Sequence, residues 1–171
     1  MRCNGEIMLK QCCNELERQQ LKIAFIESAS SGFLCSQFSI YKHSGAEILL
    51  GSLVCYDPSI KLQVLHIAPK LIEQYTAESA EVTRALANEG KKLFTKADVI
   101  VACTGLLKPG GSATTEKPEG TFFISILFSG KLHDYRYLIT GTPQQRLNVL
   151  TEKVAVSVLL LITMDSKLSA K

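Results

Sequence analysis

The chain has 171 residues, 46% of them apolar and 20% charged, which is ordinary for a folded globular protein. That length favours a single domain, residues 1–171, with a substantial core. The net charge of +3 is small and the Lys and Arg residues are scattered, so we expect no nucleic-acid partner. The longest apolar run, residues 154–163, is too short to span a membrane and predicts a buried helix.

The six cysteines include no CxxC pair, which is typical of a reducing compartment rather than a disulfide framework. The N-terminus lacks the positive-then-apolar order of a signal peptide, so we expect a cytoplasmic protein. The three histidines are far apart and show no metal-ligand spacing. No metal and no cofactor are therefore expected.

In chain order, residues 6–20 predict an amphipathic helix and residues 21–27 a short strand. The Ser-rich turn 28–32 opens a second helix, and a strand covers Ile48–Tyr56. Short helices then begin at the prolines, and a longer one follows a serine cap; these residues are Pro58, Pro69 and Ser79.

The second half begins with a nearly all-apolar strand, residues 97–105, of the kind buried on both faces of a sheet. A Gly/Pro-rich loop covers 106–119. Two β runs joined at Ser129-Gly130 predict a hairpin, and a last helix runs from Pro143 to about residue 163. Alternating strands and helices followed by a hairpin indicate an α/β fold, a three-layer α/β/α sandwich with a mixed β-sheet.

The turn 28–32 and the loop at Gly110 and Gly111 follow predicted strands, where free N–H groups can meet an anion such as a phosphate. Considered alone, these segments have a simpler explanation. Ser-rich turns before helices are usually caps, and a Pro-Gly-Gly loop is usually a turn. Both interpretations stay open on this ground.

Four segments of the chain have distinctive sequences: IESASSG at 26–32, YDPSIK at 56–61, QYTAESAEV at 74–82, and CTGLLKPGGSATTEKPEGT at 103–121. In order, they resemble A-E-S-C-T-G-G, a Tyr…Asn-Glu…Lys motif, Q-H-G-A-V-S-E-x-V and T-G-I-A-G-P-x-G-G…E-K-P-x-G-T. These motifs belong to the C-terminal domain of the competence-damage-inducible (CinA) family. The chain resembles a stand-alone member of that family.

Active members of this family are nicotinamide mononucleotide deamidases, which hydrolyse a carboxamide to a carboxylate and ammonia. The resemblance implies a Ser-Lys amidase, with Lys61 as the base and Tyr56 orienting it or relaying a proton. It also implies a small-molecule ligand, a pyridine mononucleotide, and a homodimer. The implied ligand-binding residues are Glu27, Ser28, Ser30, Ser31, Gly32, Thr104, Gly105, Gly110, Gly111 and Arg146.

The chain differs from the family motif at the position of the nucleophile. We expect the family's serine about a turn before the second strand, where an ungapped alignment places Ala46 and a one-residue gap places Glu47. Neither side chain has a hydroxyl, so we predict a catalytically silent or strongly altered relative. The alternatives are an active amidohydrolase of the pyridine nucleotide cycle with another nucleophile or an activated water, and a non-catalytic nucleotide-binding or interaction module.

Overall fold

The computed structural model describes residues 4–41 and 46–169, with side chains described over 5–41 and 46–165. Five strands form one sheet in the order β2-β1-β3-β4-β5. The first three strands are parallel, and β4 and β5 continue the sheet antiparallel. Their bounds are β1 Ile23–Glu27, β2 Leu49–Val54, β3 Val99–Gly105, β4 Thr121–Phe128 and β5 Lys131–Leu138.

Helices cover both faces of this mixed sheet, which confirms the predicted three-layer α/β/α sandwich. Their bounds are α1 Asn4–Arg18, α2 Phe33–Ile40, α3 Pro58–Gln63, α4 Pro69–Tyr75, α5 Ala80–Leu93 and α6 Pro143–Ser169. One apolar core lies between the sheet and α1, α2 and α6, and a second lies under α3, α4 and α5.

The middle strand β3 is buried along almost its whole length, as its unbroken apolar sequence predicts. Its neighbour β1 is likewise buried on both faces. Because β1, β2 and β3 are parallel, their carboxyl ends meet at one edge of the sheet. That edge carries the segments that the sequence singles out.

The predicted hairpin is formed by β4 and β5. Its two turn residues, Ser129 and Gly130, have φ angles of 48° and 73°. Two successive left-handed residues are the signature of a type I′ turn, whose twist matches that of the strands it joins.

Helix α6 contains a 23-residue segment, Pro143–Asp165, whose length and mean hydropathy would by themselves allow it to cross a membrane. In the fold, one side of this helix is core: Leu150, Val154, Val158 and Ile162 are fully buried against the sheet and α1. The helix therefore packs one side into the core, which accounts for the apolar residues on that side.

Strand β2 ends at Val54, two residues earlier than the sequence predicts. The chain leaves the ladder at Cys55, and Asp57 then caps α3 by accepting a hydrogen bond from the Ser59 amide at 2.8 Å. Pro58 occupies the first turn of the helix, where its missing N–H is no loss. The turn directs α3, and with it Lys61, back under the carboxyl ends of the strands.

Candidate active site

Two backbone hydrogen bonds tie the polar segments together at the carboxyl edge of the sheet. The Cys55 amide donates to the Glu27 carbonyl at 2.8 Å, and the Ser28 amide donates to the Cys103 carbonyl at 2.9 Å. The turn after β1, the segment after β2 and the end of β3 are therefore in direct contact. The segments 26–32, 56–61 and 103–121, which the sequence singles out, therefore adjoin one another at this edge.

Lys61 is the most unusual side chain at this edge because it is a lysine with only 1% of its surface exposed. Its Nζ lies 2.6 Å from the Cys55 carbonyl oxygen and 3.4 Å from that of Tyr56. The third neighbour is the Ser28 hydroxyl oxygen, at 3.1 Å. The amine is thus held by two carbonyls and points its remaining position at a serine.

Burial lowers the pKa of Lys61, since removing the ammonium from water disfavours its charge. Cys55, Glu78 and Asp57 oppose this by favouring the charged form. Lys61 Nζ donates to all three oxygens in this geometry; once the amine has lost a proton, its two remaining N–H groups still serve the two carbonyls and its lone pair faces the Ser28 hydroxyl. This is the arrangement that a general base requires.

Ser28 stands at the junction between β1 and the turn that precedes α2, and it is 8% exposed. The turn is closed by hydrogen bonds from the Ser31 amide to the Ser28 carbonyl, at 3.1 Å, and from the Phe33 amide to the Ser30 carbonyl, at 2.8 Å. Ser31 and Gly32 both have left-handed φ angles, 49° and 88°. The geometry holds the Ser28 hydroxyl at the sheet edge, within reach of solvent.

Glu27 has a structural position rather than a ligand-facing one. Its carboxylate is completely buried and accepts hydrogen bonds from the amides of Leu34 and Cys35, at 3.1 and 2.9 Å, and from Ser52 Oγ at 3.2 Å. Gly32, the N-cap residue of α2, has no side chain to do this. The expected ligand contact of Glu27 is therefore replaced by a cap on α2 from inside the core.

The two positions at which a nucleophile was expected lie elsewhere. Ala46 and Glu47 precede the amino end of β2, where their carbonyls accept hydrogen bonds from Lys22 Nζ at 2.7 and 2.8 Å. Lys61 follows the opposite end of that strand, and six strand residues span about 20 Å. The expectation that residue 46 or 47 faces Lys61 is corrected by this geometry. Ser44 lies outside the described residues.

Tyr56 contributes its backbone to the site, because it is the Tyr56 carbonyl that faces the lysine amine. Its side chain is 64% exposed. Among the described residues, no hydrogen bond of the Tyr56 phenol supports its expected orienting or proton-relaying role.

The residues at the end of β3 are also packed rather than open. Thr104 is fully buried, and its hydroxyl lies 2.7 Å from that of Thr83, which donates to the Ser79 carbonyl at 2.6 Å. A Cβ on Gly105 would lie 2.6 Å from the Phe122 ring and 2.7 Å from the Thr121 carbonyl oxygen. Close strand packing therefore explains both residues without a ligand.

In the loop that follows, Gly110 and Gly111 are exposed and have φ angles of 109° and 61°. A Cβ on Gly110 would meet nothing within 4 Å. These two residues are open to solvent and conformationally suited to a turn, so they are compatible with the predicted ligand role as well as with the simpler one.

Ser30 and Cys103 lie side by side beneath the turn. The Ser30 hydroxyl is buried without a hydrogen bond of good geometry in the described part of the chain. Burial raises the pKa of the neighbouring Cys103 thiol to about 12. A fully buried thiol with a raised pKa is a poor nucleophile, so Cys103 is a core residue here. Ser31, by contrast, is exposed at the tip of the turn.

Arg146, expected near a phosphate, is already paired. Its Nη1 donates to the Leu107 carbonyl at 2.7 Å and forms an ion pair with the Glu119 carboxylate. The Arg146 side chain is 11% exposed, and its Nε is buried without a partner among the described residues. Arg146 thus fastens α6 to the base of the loop 106–120.

Sequence reasoning missed a polar network that closes the same loop. Lys117 Nζ donates to the Thr76 hydroxyl, the Glu78 carbonyl and the Ser112 hydroxyl, at 2.8, 2.8 and 2.7 Å. Ser112 in turn donates to the Glu78 carboxylate at 2.5 Å. The signal was present in the sequence, because Glu78 replaces the Val of the quoted Q-H-G-A-V-S-E pattern.

The profile of the CinA C-terminal domain family matches residues 6–163 of the chain. A CinA-like protein of Pseudothermotoga lettingae is 29% identical over 92% of the chain, and one from a Geobacter species is 32% identical over 74%. The matched regions make up only 37% and 30% of those two relatives, so the chain spans about a third of their length.

Solved structures show the same fold. A competence-damaged protein (CinA) superfamily protein from Klebsiella pneumoniae superposes with a TM-score of 0.86 at 17% identity, covering 94% of this chain and 99% of that one. One from Enterobacter cloacae gives a TM-score of 0.83 at 21% identity, with 92% of each chain covered. At these identities the likeness establishes the fold.

Proposed function

Because the chain belongs to the CinA C-terminal domain family, we propose that it is a serine–lysine amide hydrolase, with Ser28 as nucleophile and Lys61 as general base. The observation that carries the proposal is the buried amine of Lys61 at 3.1 Å from the Ser28 hydroxyl. The expectation of a silent protein depended on positions 46 and 47, which lie at the far end of β2. With Ser28 in the role of nucleophile, that objection no longer applies.

The proposed reaction uses Ser28 and Lys61 as a catalytic dyad. Neutral Lys61 takes the proton of Ser28, and Oγ attacks the carbonyl carbon of a primary carboxamide. The protonated lysine then delivers that proton to the leaving nitrogen, which departs as ammonia and leaves an ester on Ser28. A water molecule, deprotonated by the same amine, attacks the ester and releases the carboxylic acid and the free serine.

The developing oxyanion needs hydrogen-bond donors next to the nucleophile. The turn supplies candidates, since the amides of Ala29 and Gly32 donate to no acceptor within the described residues. Ala29 follows the nucleophile directly and Gly32 lies four residues after it, in a turn with two left-handed residues, a backbone form that makes anion-binding concavities in proteins. We assign these two amides to the oxyanion, in keeping with the use of backbone N–H groups in acyl transfer.

Nicotinamide mononucleotide is the first substrate to test, on the strength of the family resemblance. Purified protein is incubated with this amide and ammonia release is measured, beside Ser28→Ala as the matched variant. We expect turnover that the Ser28→Ala change lowers at least about a thousandfold. Equal rates for both proteins would contradict the assignment of Ser28. No ammonia from the unmodified protein, with this or other aromatic carboxamides, would return the silent interpretation to first place.

A cytoplasmic location, expected from the cysteine usage, and a homodimer, expected by resemblance alone, also stay part of the proposal. Light scattering of the purified protein tests the assembly, and a mass near 18.8 kDa would contradict a dimer.

A further inference from the structure

The turn that carries Ser28 directs its three serine hydroxyls to three different places. The Ser28 hydroxyl lies 3.1 Å from Lys61 Nζ. The Ser30 hydroxyl is buried beneath the turn, next to Cys103. Ser31 is exposed at the tip of the turn. The Ser31 hydroxyl is therefore the one that can contact a ligand beyond the atom that Ser28 attacks.

Two successive turns connect β1 to α2. The first is closed by the Ser31 amide, which donates to the Ser28 carbonyl at 3.1 Å, and the second by the Phe33 amide, which donates to the Ser30 carbonyl at 2.8 Å. The central residues of the second turn, Ser31 and Gly32, have φ angles of 49° and 88°, as a type I′ turn requires. Glycine suits both positions, and the motif A-E-S-C-T-G-G has glycine at both. This chain has Ser31 in place of the first glycine.

The Ser31 side chain contributes little to the fold. Its hydroxyl lies 3.4 Å from the Ser28 carbonyl oxygen, which is long for an O–H···O hydrogen bond, and that carbonyl already accepts from the Ser31 amide. The side chain is exposed, so packing does not offset the steric cost of a Cβ on a left-handed backbone. Residues kept in unfavourable conformations cluster at functional sites. The hydroxyl is thus available to a ligand.

The position of this hydroxyl limits which part of a ligand it can meet. Four covalent bonds join the carbonyl and hydroxyl oxygens of Ser28, so the hydroxyls of Ser28 and Ser31 are at most about 8 Å apart. In a pyridinium carboxamide nucleoside, the carboxamide carbon and the nearest sugar hydroxyl are separated by the ring, at about 6 Å. A hydrogen bond from that sugar hydroxyl to Ser31 therefore fits while Ser28 reaches the amide. The phosphate of the mononucleotide lies one sugar further from the amide.

We propose that Ser31 is a specificity-determining residue of the amide hydrolase and that its hydroxyl forms a hydrogen bond with a sugar hydroxyl of a pyridinium carboxamide nucleotide. This inference rests on the hydrolase proposed above and names a part of the substrate that this chain recognises. The glycine of the motif has no side chain for this contact. Ser31 thus favours a ribosylated carboxamide over free nicotinamide and acts independently of the phosphate.

Binding provides the test, so that the result does not depend on turnover. Ser28→Ala protein is titrated by NMR with nicotinamide, with nicotinamide mononucleotide and with the nucleoside that remains when the phosphate is removed. Ser31→Gly in this background removes the hydroxyl and retains the turn, because glycine adopts the left-handed backbone readily. We expect the dissociation constants of the nucleoside and the mononucleotide each to rise about fivefold, as for the loss of one hydrogen bond, and that of nicotinamide to stay within about twofold.

Two further variants separate the hydroxyl from the backbone. Ser31→Ala removes the same hydroxyl but keeps the Cβ, and it should match Ser31→Gly. Ser129→Gly makes the same exchange at a φ of 48°, in the hairpin turn at the opposite edge of the sheet, and it should change none of the three constants.

Four results would overturn the proposal. Equal losses for all three ligands would mean that the turn had changed, and a loss for the mononucleotide alone would assign Ser31 to the phosphate. Unchanged constants in the Ser31 variants, or no binding of the mononucleotide at millimolar concentration, would exclude the contact. If both ribosylated ligands lose affinity as expected but the unmodified protein releases no ammonia, only the hydrolase proposal fails. If ammonia is released and the Ser31 variants bind like their parent, only the role of Ser31 fails.

Discussion

Two lysine–serine pairs lie at the same edge of the sheet, and they are prepared for opposite tasks. Lys61 Nζ is 3.1 Å from Ser28 Oγ, and Lys117 Nζ is 2.7 Å from Ser112 Oγ. Ser112 gives its proton to the Glu78 carboxylate, so it cannot also give it to the amine. Ser28 has no carboxylate partner of that kind within the described residues. A short lysine–serine distance therefore does not identify a nucleophile, and the destination of the hydroxyl proton does.

The two lysine amines also differ in their burial and in their neighbours. Lys61 is 1% exposed and its neighbours are the Ser28 hydroxyl and two backbone carbonyls. Burial lowers the pKa of both lysines and Glu78 opposes this at both, but Lys117 is only half-buried, whereas Lys61 is buried. Lys117 is therefore suited to stay charged and hold the loop, whereas Lys61 is the amine that can lose its proton.

The largest expected effect separates the two pairs directly. Lys61→Met should lower kcat for carboxamide hydrolysis about a thousandfold or more, because the proton of Ser28 loses its acceptor. The matched changes Lys117→Met and Ser112→Ala should each lower kcat less than about tenfold. Steady-state ammonia release measures all three. A thousandfold loss in Ser112→Ala, with Lys61→Met near the unmodified rate, would exchange the roles assigned to the pairs.

The second prediction concerns the buried carboxylate of Glu27. Glu27 is buried beside this site but is occupied by two amides of α2 and by Ser52. Glu27→Ala removes these bonds and leaves the donors unsatisfied, so the free energy of unfolding should fall by about 3 kcal/mol. Urea denaturation followed by circular dichroism measures it. Glu73→Ala, at an exposed position of α4, is the control, and equal losses in both variants would contradict the internal cap.

The third prediction is the pH dependence of the reaction. The unfolded lysine has a pKa near 10.5 and the folded one a lower value, so the unfolded state binds more protons between the two. Stability should therefore rise with pH across that interval, and kcat/KM should rise as Lys61 loses its proton. A descending limb in place of this rise, below the pH at which the protein unfolds, would contradict Lys61 as a base.

Asp57→Asn sharpens this test. It keeps an oxygen for the cap of α3 but removes a charge that favours the lysine ammonium. The rising limb of the profile should move to lower pH. Glu78→Gln should move the same limb in the same direction, since its charge also favours the ammonium. A shift to higher pH in either variant would reverse the electrostatics described for Lys61.

The sequence predicted the fold well because the signals are local. The unbroken apolar β3, the Ser129-Gly130 turn and the Ser79 cap each determine their own element. It also placed Lys61 and Ser28 among the site residues. It did not assign the nucleophile, because that depends on strand order: only the placement of β1 between β2 and β3 brings Ser28 against a lysine 33 positions away. Burial of Glu27 and pairing of Arg146 with Glu119 are tertiary facts of the same kind.

The smallest expected effect is the one that sequence alone would rank highest. Ala46→Ser and Glu47→Ser introduce a hydroxyl at the positions where the motif comparison expects a nucleophile. Both residues are exposed beyond the amino end of β2, where Lys22 binds their carbonyls, and about 20 Å of strand separates them from Lys61. Turnover should therefore stay within about twofold of the unmodified protein. In a Ser28→Ala background, neither change should restore ammonia release. Rescue by either serine would place the lysine within reach of the other end of β2, and the assignment of Ser28 could not stand.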